Sequence, residues 1–92
     1  MTNELLAIAD YIEEHGHARR VYTAPNGAVC VIGALNKIRG NDGKRWITSL
    51  DTEDPTIYAL QNLIGTCNIT RWSDVTGTKE LLAQLRGQTD VK

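Results

Sequence analysis

Apolar positions are unevenly spread along the chain, and one stretch stands out. From Ala28 to Leu35 every residue is apolar, Ala-Val-Cys-Val-Ile-Gly-Ala-Leu, and no other eight-residue window has this property. A helix with no polar face has nothing to offer water and belongs in a core. Val29, Val31 and Ile32 are β-branched and would suit a strand. Length arbitrates, because helix formers carry the pattern on to Arg39 and a glycine follows at position 40. The pattern therefore predicts a buried helix over about 30–39. Lys37 and Arg39 fall in its last turn, where they favour the helix dipole. Gly40 follows as the left-handed residue. Gly33 within it costs about 1 kcal/mol relative to Ala, which assigns it to close packing against another helix.

Three further helices are predicted around this one. Leu5, Ile8, Ala9 and Ile12 form an apolar stripe at helical spacing. Thr2 or Asn3 caps it, Asp10 and Glu14 face water, and Gly16 ends it. Asp54 followed by Pro55 is a helix-start signal. Ile57, Leu60, Ile64 and Cys67 then mark one buried face, with Asn68 as the stop. Thr78 caps a last helix whose inner side carries Leu81, Leu82 and Leu85, with Gly87 as its end. Between these elements, Pro25-Asn26-Gly27 is a turn signal and suggests a short irregular hairpin before the central helix. Gly40 to Gly43 is a loop by composition. Lys44 to Leu50 is expected to form one or two helical turns. Ile69 to Gly77 reads as a loop anchored by Trp72, with Asp74 bonding the backbone two residues on. The tail to Lys92 is polar and expected to fray.

The predicted architecture is mainly α: a small single-domain bundle, spanning 1–92, of about four helices around the buried segment 30–39. Its core is expected to contain Leu5, Ile8, Ile12, Val31, Ile32, Leu35, Ile57, Leu60, Ile64, Trp72, Leu82 and Leu85. The 92 residues suffice for one such domain. Apolar residues make up 41% and charged residues 23%, an ordinary globular balance.

Charge narrows the function classes. A net charge of −1 supplies no strong field for nucleic acid or an anionic membrane. No window reaches the roughly 18 apolar residues of a membrane span. Met-Thr-Asn-Glu lacks the form of a signal peptide, so a cytoplasmic protein is expected. With only Cys30 and Cys67, both in apolar surroundings, reduced core thiols are expected rather than a disulfide framework.

No catalytic or metal set is legible. His15, His17, Cys30 and Cys67 could be imagined as zinc ligands, but structural zinc sites use close cysteine pairs, and these lie 37 positions apart. The histidines read as a solvent-facing helix end. A cysteine–histidine nucleophile pair on Cys30 is opposed by the flanking valines, since desolvation raises a thiol pKa. The run Asp51 to Asp54 lacks calcium-loop spacing and reads as a capping segment. No cofactor is implied. The basic pairs Arg19-Arg20 and Lys44-Arg45 have Tyr22 and Trp46 close behind them. Aromatics and arginine dominate interface energetics, so Tyr22, Arg45 and Trp46 are the candidate protein-binding residues.

Cys30-Val-Ile-Gly-Ala-Leu35 resembles the C-x-x-G-A-L element of a family of small uncharacterised proteins of actinobacteria and their bacteriophages. In that family a later W-N-D is followed by a capped, leucine-rich helix. Trp72-Ser73-Asp74 is similar, with Ser73 where Asn is usual, and Thr78-Lys-Glu-Leu-Leu82 follows. The likeness spans most of the chain and implies a small phage or actinobacterial cytoplasmic protein, with no activity to carry over.

The expected function is a non-enzymatic protein that binds another protein, a host factor if the source is a phage. The alternatives are a nucleic-acid-binding regulator, which the balanced charge opposes, and a small enzyme or metal protein. The oligomeric state is left open.

Overall fold

A computed structural model describes residues 4–41 and 44–87. The predicted caps Thr2 and Asn3, part of the 40–43 loop and the polar tail fall outside the described residues. Five helices follow one another: α1 (Glu4–His15), α2 (Val31–Arg39), α3 (Pro55–Ile64), α4 (Ile69–Val75) and α5 (Thr78–Leu85). α1 packs against α2, α3 and α5, and α4 packs against α2 and α3. The chain is thus mainly α, with one helix more than the pattern predicted.

The core is centred on α2, as its unbroken apolar run requires. Residues 28–36 are all buried, and Val31, Ile32, Ala34 and Leu35 expose nothing. Around them lie Ile8, Ala9 and Ile12 of α1, Ile57 and Leu60 of α3, Ile69 of α4, and Leu81 and Leu85 of α5. Leu5, Ile64, Trp72 and Leu82, expected in the core, are half-buried and pack against its edge. Cys30 is the N-cap of α2, its Sγ accepting the Gly33 amide at 3.4 Å. Gly40 closes the helix at φ 69°, a conformation that favours glycine. Arg39 in the last turn reaches across to α1 and the start of α3. It bonds Glu4 at 2.6 and 2.8 Å and Asp54 at 2.6 Å. This lowers the pKa of both carboxyls, with the Arg39 bonds the largest cause in each.

Several expectations are corrected. Gly33 is tightly packed, but against a loop and not a helix: a Cβ there would lie 2.0 Å from the carbonyl oxygen of Tyr22. Lys44 to Leu50 is not helical. The Ile47 N–H donates to Asn36 Oδ1 and the Ile47 carbonyl accepts from Asn36 Nδ2, both at 2.8 Å. With both groups taken by a buried amide on α2, the segment has none left there for a helical ladder. Ile69–Val75 is a helix and not a loop, and Asn68 starts it instead of stopping α3. Its side chain accepts the Arg71 amide at 3.2 Å, and α3 already ends at Gly65. Cys67 therefore lies beyond α3 and is exposed, whereas Cys30 is the buried thiol expected.

In place of a hairpin, residues 16–30 form isolated bridges from Val29 to His17 and to Thr23, with no strand among the described residues. The predicted turn at Pro25-Asn26-Gly27 is present. The Gly27 amide donates to the Ala24 carbonyl at 2.9 Å, and Asn26 Oδ1 accepts the Ala28 amide at 3.1 Å.

Candidate functional site

The segment from His17 to Tyr22 lies over the start of α2 and the end of α4, fastened by side chains. His17 donates from Nε2 to the Ser73 carbonyl at 2.8 Å, and its Nδ1 lies 2.9 Å from Thr78 Oγ1. The carbonyl fixes the neutral tautomer with hydrogen on Nε2, so Nδ1 accepts from the Thr78 hydroxyl. Burial lowers the pKa of the ring, partly opposed by the Ser73 bond. The solvent-facing role expected for His17 is thus corrected. Thr78, expected as a cap, is instead the first residue of α5, which Gly77 precedes without a side-chain cap bond.

Arg19 extends the fastening. Its guanidinium donates to the carbonyls of Asp74 at 3.0 Å and Thr76 at 3.2 Å, placing a cation at the negative end of the α4 dipole. Asp74 accepts the Arg20 amide at 2.8 Å, a contact across 54 residues instead of the local Asx turn expected. Ser73 is fully buried, and its Oγ accepts the Val31 amide of α2 at 3.3 Å. The two stretches that carried the family resemblance, Cys30–Leu35 and Trp72–Asp74, are therefore in direct contact.

Beside this junction opens a cleft of about 270 Å³, lined by Arg20, Val21, Tyr22, Cys30, Thr70 and Asp74. The Tyr22 carbonyl accepts the Cys30 amide at 3.1 Å, which sets the loop on the helix start. Tyr22 as a residue stays 42% exposed. Its ring meets that of half-buried Trp46, with ring centroids 5.7 Å apart and planes tilted by 51°, a favourable aromatic geometry. Trp46 is in place because Asn36 holds the next residue, Ile47. Arg45 is exposed and pairs with Asp51 at 2.6 Å. Of the three residues singled out from the sequence, Tyr22 and Trp46 touch, while Arg45 is next to Trp46 in the chain and bonds Asp51.

The other candidates disperse. No hydrogen bond joins Cys30 to a histidine among the described residues. Burial pushes the Cys30 thiol up, whereas the Gly33 and Ile32 amides pull the other way. Among the described residues no group of three or more His, Cys, Asp or Glu is gathered to hold a metal. In the acidic run, Asp51 bonds Arg45 and the Thr48 amide. Asp54 bonds Arg39 and caps α3. The contributions of His17, Asn36 and Asp74 had no local signature, because each acts on a segment 11 to 61 residues away.

No helix among the described residues is long and apolar enough to cross a membrane. A family model matches residues 2–88, described as a family of unknown function, DUF6197. No curated protein and no solved structure matches the chain.

Proposed function

Because the chain belongs to DUF6197, a family of unknown function, we propose its function from its own geometry: it is a protein-binding protein that recognises its partner through Tyr22, Trp46 and Arg45, and it catalyses no reaction. The observation that carries this reading is the Tyr22–Trp46 contact. Two aromatic rings from segments far apart in the chain meet outside the core, one of them on a residue 42% exposed. A small domain gains little from large apolar rings half in water, but a binding surface gains much from rigid aromatic anchors beside an arginine. The resemblance to proteins of actinobacteria and their phages supplies the setting: a phage product acting on a host protein in the host cytoplasm.

The test is capture from actinobacterial lysate, identification of the bound protein, and titration with that protein once purified. Arg45→Ala/Trp46→Ala, shown by circular dichroism to remain folded, is expected to weaken binding by about 2 kcal/mol or more, roughly thirtyfold. Full-strength binding by that variant places the interface elsewhere. A wild type that captures nothing removes the function proposed.

A further inference from the structure

We propose that the cleft beside Tyr22 seats an acidic peptide segment of the partner, with one large apolar side chain inserted and a flanking carboxylate on Arg20; this rests on the protein-binding reading above. Size supports a side chain over a cofactor. About 270 Å³ lies just below the roughly 300–1,000 Å³ of small-molecule sites. Interface anchors fill pockets of side-chain size.

The lining sets the chemistry of the occupant. The floor at Cys30 offers no anion cradle, since the first amides of α2 are already bonded. Val31 donates to Ser73 Oγ and Gly33 to Cys30 Sγ. With Val21 and Tyr22 alongside, this interior suits an apolar group. The rim carries Arg20 and Asp74, with Arg19 and Arg71 next to lining residues, three cations to one anion. Arg39, Arg45 and Arg86 have carboxylate partners, and Arg19 is bonded to two carbonyls. Arg20 and Arg71 are the arginines with no side-chain bond among the described residues. Arg20 lines the cleft, and Arg71 follows the cleft residue Thr70.

The backbone gives a second, independent indication. Arg20 is the only non-glycine residue at positive φ among the described residues, at 70°. Such a conformation persists only where surroundings impose it, and it concentrates at ligand-binding positions. Here Asp74 imposes it by accepting the Arg20 amide. Asp74 keeps its negative charge, but its bond goes to the loop backbone, and the cations Arg19, Arg20 and Arg71 around it leave the rim net basic. A flexible glycine would suit this turn better if position 20 served only the fold.

The probes are blocked nonapeptides with a central Leu, Phe or Trp flanked by glutamates, titrated while the amide NMR signals of Arg20, Tyr22, Cys30 and Thr70 are followed. At least one peptide is expected to shift these signals saturably. Replacing its glutamates by glutamines, or Arg20 by Gly, should weaken it about tenfold. Arg20→Gly keeps the left-handed turn, so the fold is retained. Lys79→Ala, an equal charge loss on α5, should leave affinity unchanged. The cleft assignment is overturned if no peptide shifts these amides, if glutamine peptides bind equally, or if Lys79→Ala weakens binding as much. A single-stranded DNA oligonucleotide binding the same amides more tightly than any peptide overturns it too. With the purified partner, a loss in Arg45→Ala/Trp46→Ala but none in Arg20→Gly sinks the cleft alone. No loss in either sinks the parent reading.

Discussion

Gly33→Ala tests the attachment of the 17–22 loop to the central helix. By helix propensity alone the change stabilises α2 by about 1 kcal/mol. Tertiary geometry opposes it. The new Cβ would lie 2.0 Å from the Tyr22 carbonyl oxygen and 2.8 Å from its carbonyl carbon. Both are backbone atoms, so no side-chain rotation relieves the clash, and the carbonyl must retreat by more than an ångström. That same oxygen accepts the Cys30 amide at 3.1 Å. Overpacking of this kind costs about 1–3 kcal/mol, and a buried amide left unpaired costs about 1–3 kcal/mol. After the propensity gain, a net loss of about 1–5 kcal/mol, centred near 3, is expected, against the roughly 5–14 kcal/mol available to a domain of this size. Urea denaturation followed by tryptophan fluorescence should show a lower midpoint at unchanged slope. The melting temperature should fall by at least about 4 °C, and by about 12 °C or more at the centre of that range. Gly40→Ala is the comparison. Its φ is 69° and nothing lies within 4 Å of an added Cβ, so it bears only conformational cost, about 1–2 kcal/mol. A Gly33→Ala protein as stable as wild type, or one that loses less than Gly40→Ala, would refute the reasoning.

Other perturbations read different contacts. Arg39→Gln should cost about 1–2 kcal/mol at neutral pH, between surface and buried ion-pair values, since its partners are only partly shielded. The lowered pKa values of Glu4 and Asp54 mean that this stability is present above their ordinary values of 4.5 and 3.8 and is lost as pH falls through the lowered ones. The variant's acid-denaturation limb should therefore be shallower than that of wild type. His17 is lowered from 6.5, so the unfolded chain takes up its proton first. Wild-type stability should begin to decline as pH drops below about 6.5, and His17→Gln should abolish that part of the profile. A thiol reagent should modify one cysteine promptly, exposed Cys67, and the second, buried Cys30, only on unfolding. Two fast equivalents would contradict the burial of the α2 cap.

The helices with a strong apolar period were legible in the sequence, and so were their local stops. Asp54-Pro55 and Gly40 act within one turn of chain, where a side chain or a free φ decides the outcome. α4 was missed because its seven residues are rich in Thr, Ser and β-branched types, which favour caps and turns. Burial of Ile69 and Ser73 against α2 and α3 overrides that preference. The segment 44–50 erred in the opposite direction. Its composition allows helix, but the Asn36 amide takes the Ile47 backbone groups. Tyr22, Arg45 and Trp46 could be chosen by residue type, but the meeting of Tyr22 and Trp46 depends on Gly33 admitting the Tyr22 carbonyl and on Asn36 holding Ile47. The cleft itself was not legible, because its lining comes from segments 40 residues and more apart that the His17, Arg19 and Asp74 bonds join.

Those fastenings also determine when in the life of the chain the surface around Tyr22 can first take shape. The bonds from His17 and Arg19 close loops of 55 to 61 residues, and contacts of such long range form late, after their closure entropy has been met. Tyr22 and Trp46 leave the ribosome well before the residues that hold the loop in place. A nascent chain halted before residue 69 carries both aromatic side chains but neither α4 nor its carbonyls, so Arg20 has no reason to take up its left-handed turn. The loop is therefore set in place only with the synthesis of α4 and the first turn of α5, and the cleft beside it is among the last features of the fold to be completed.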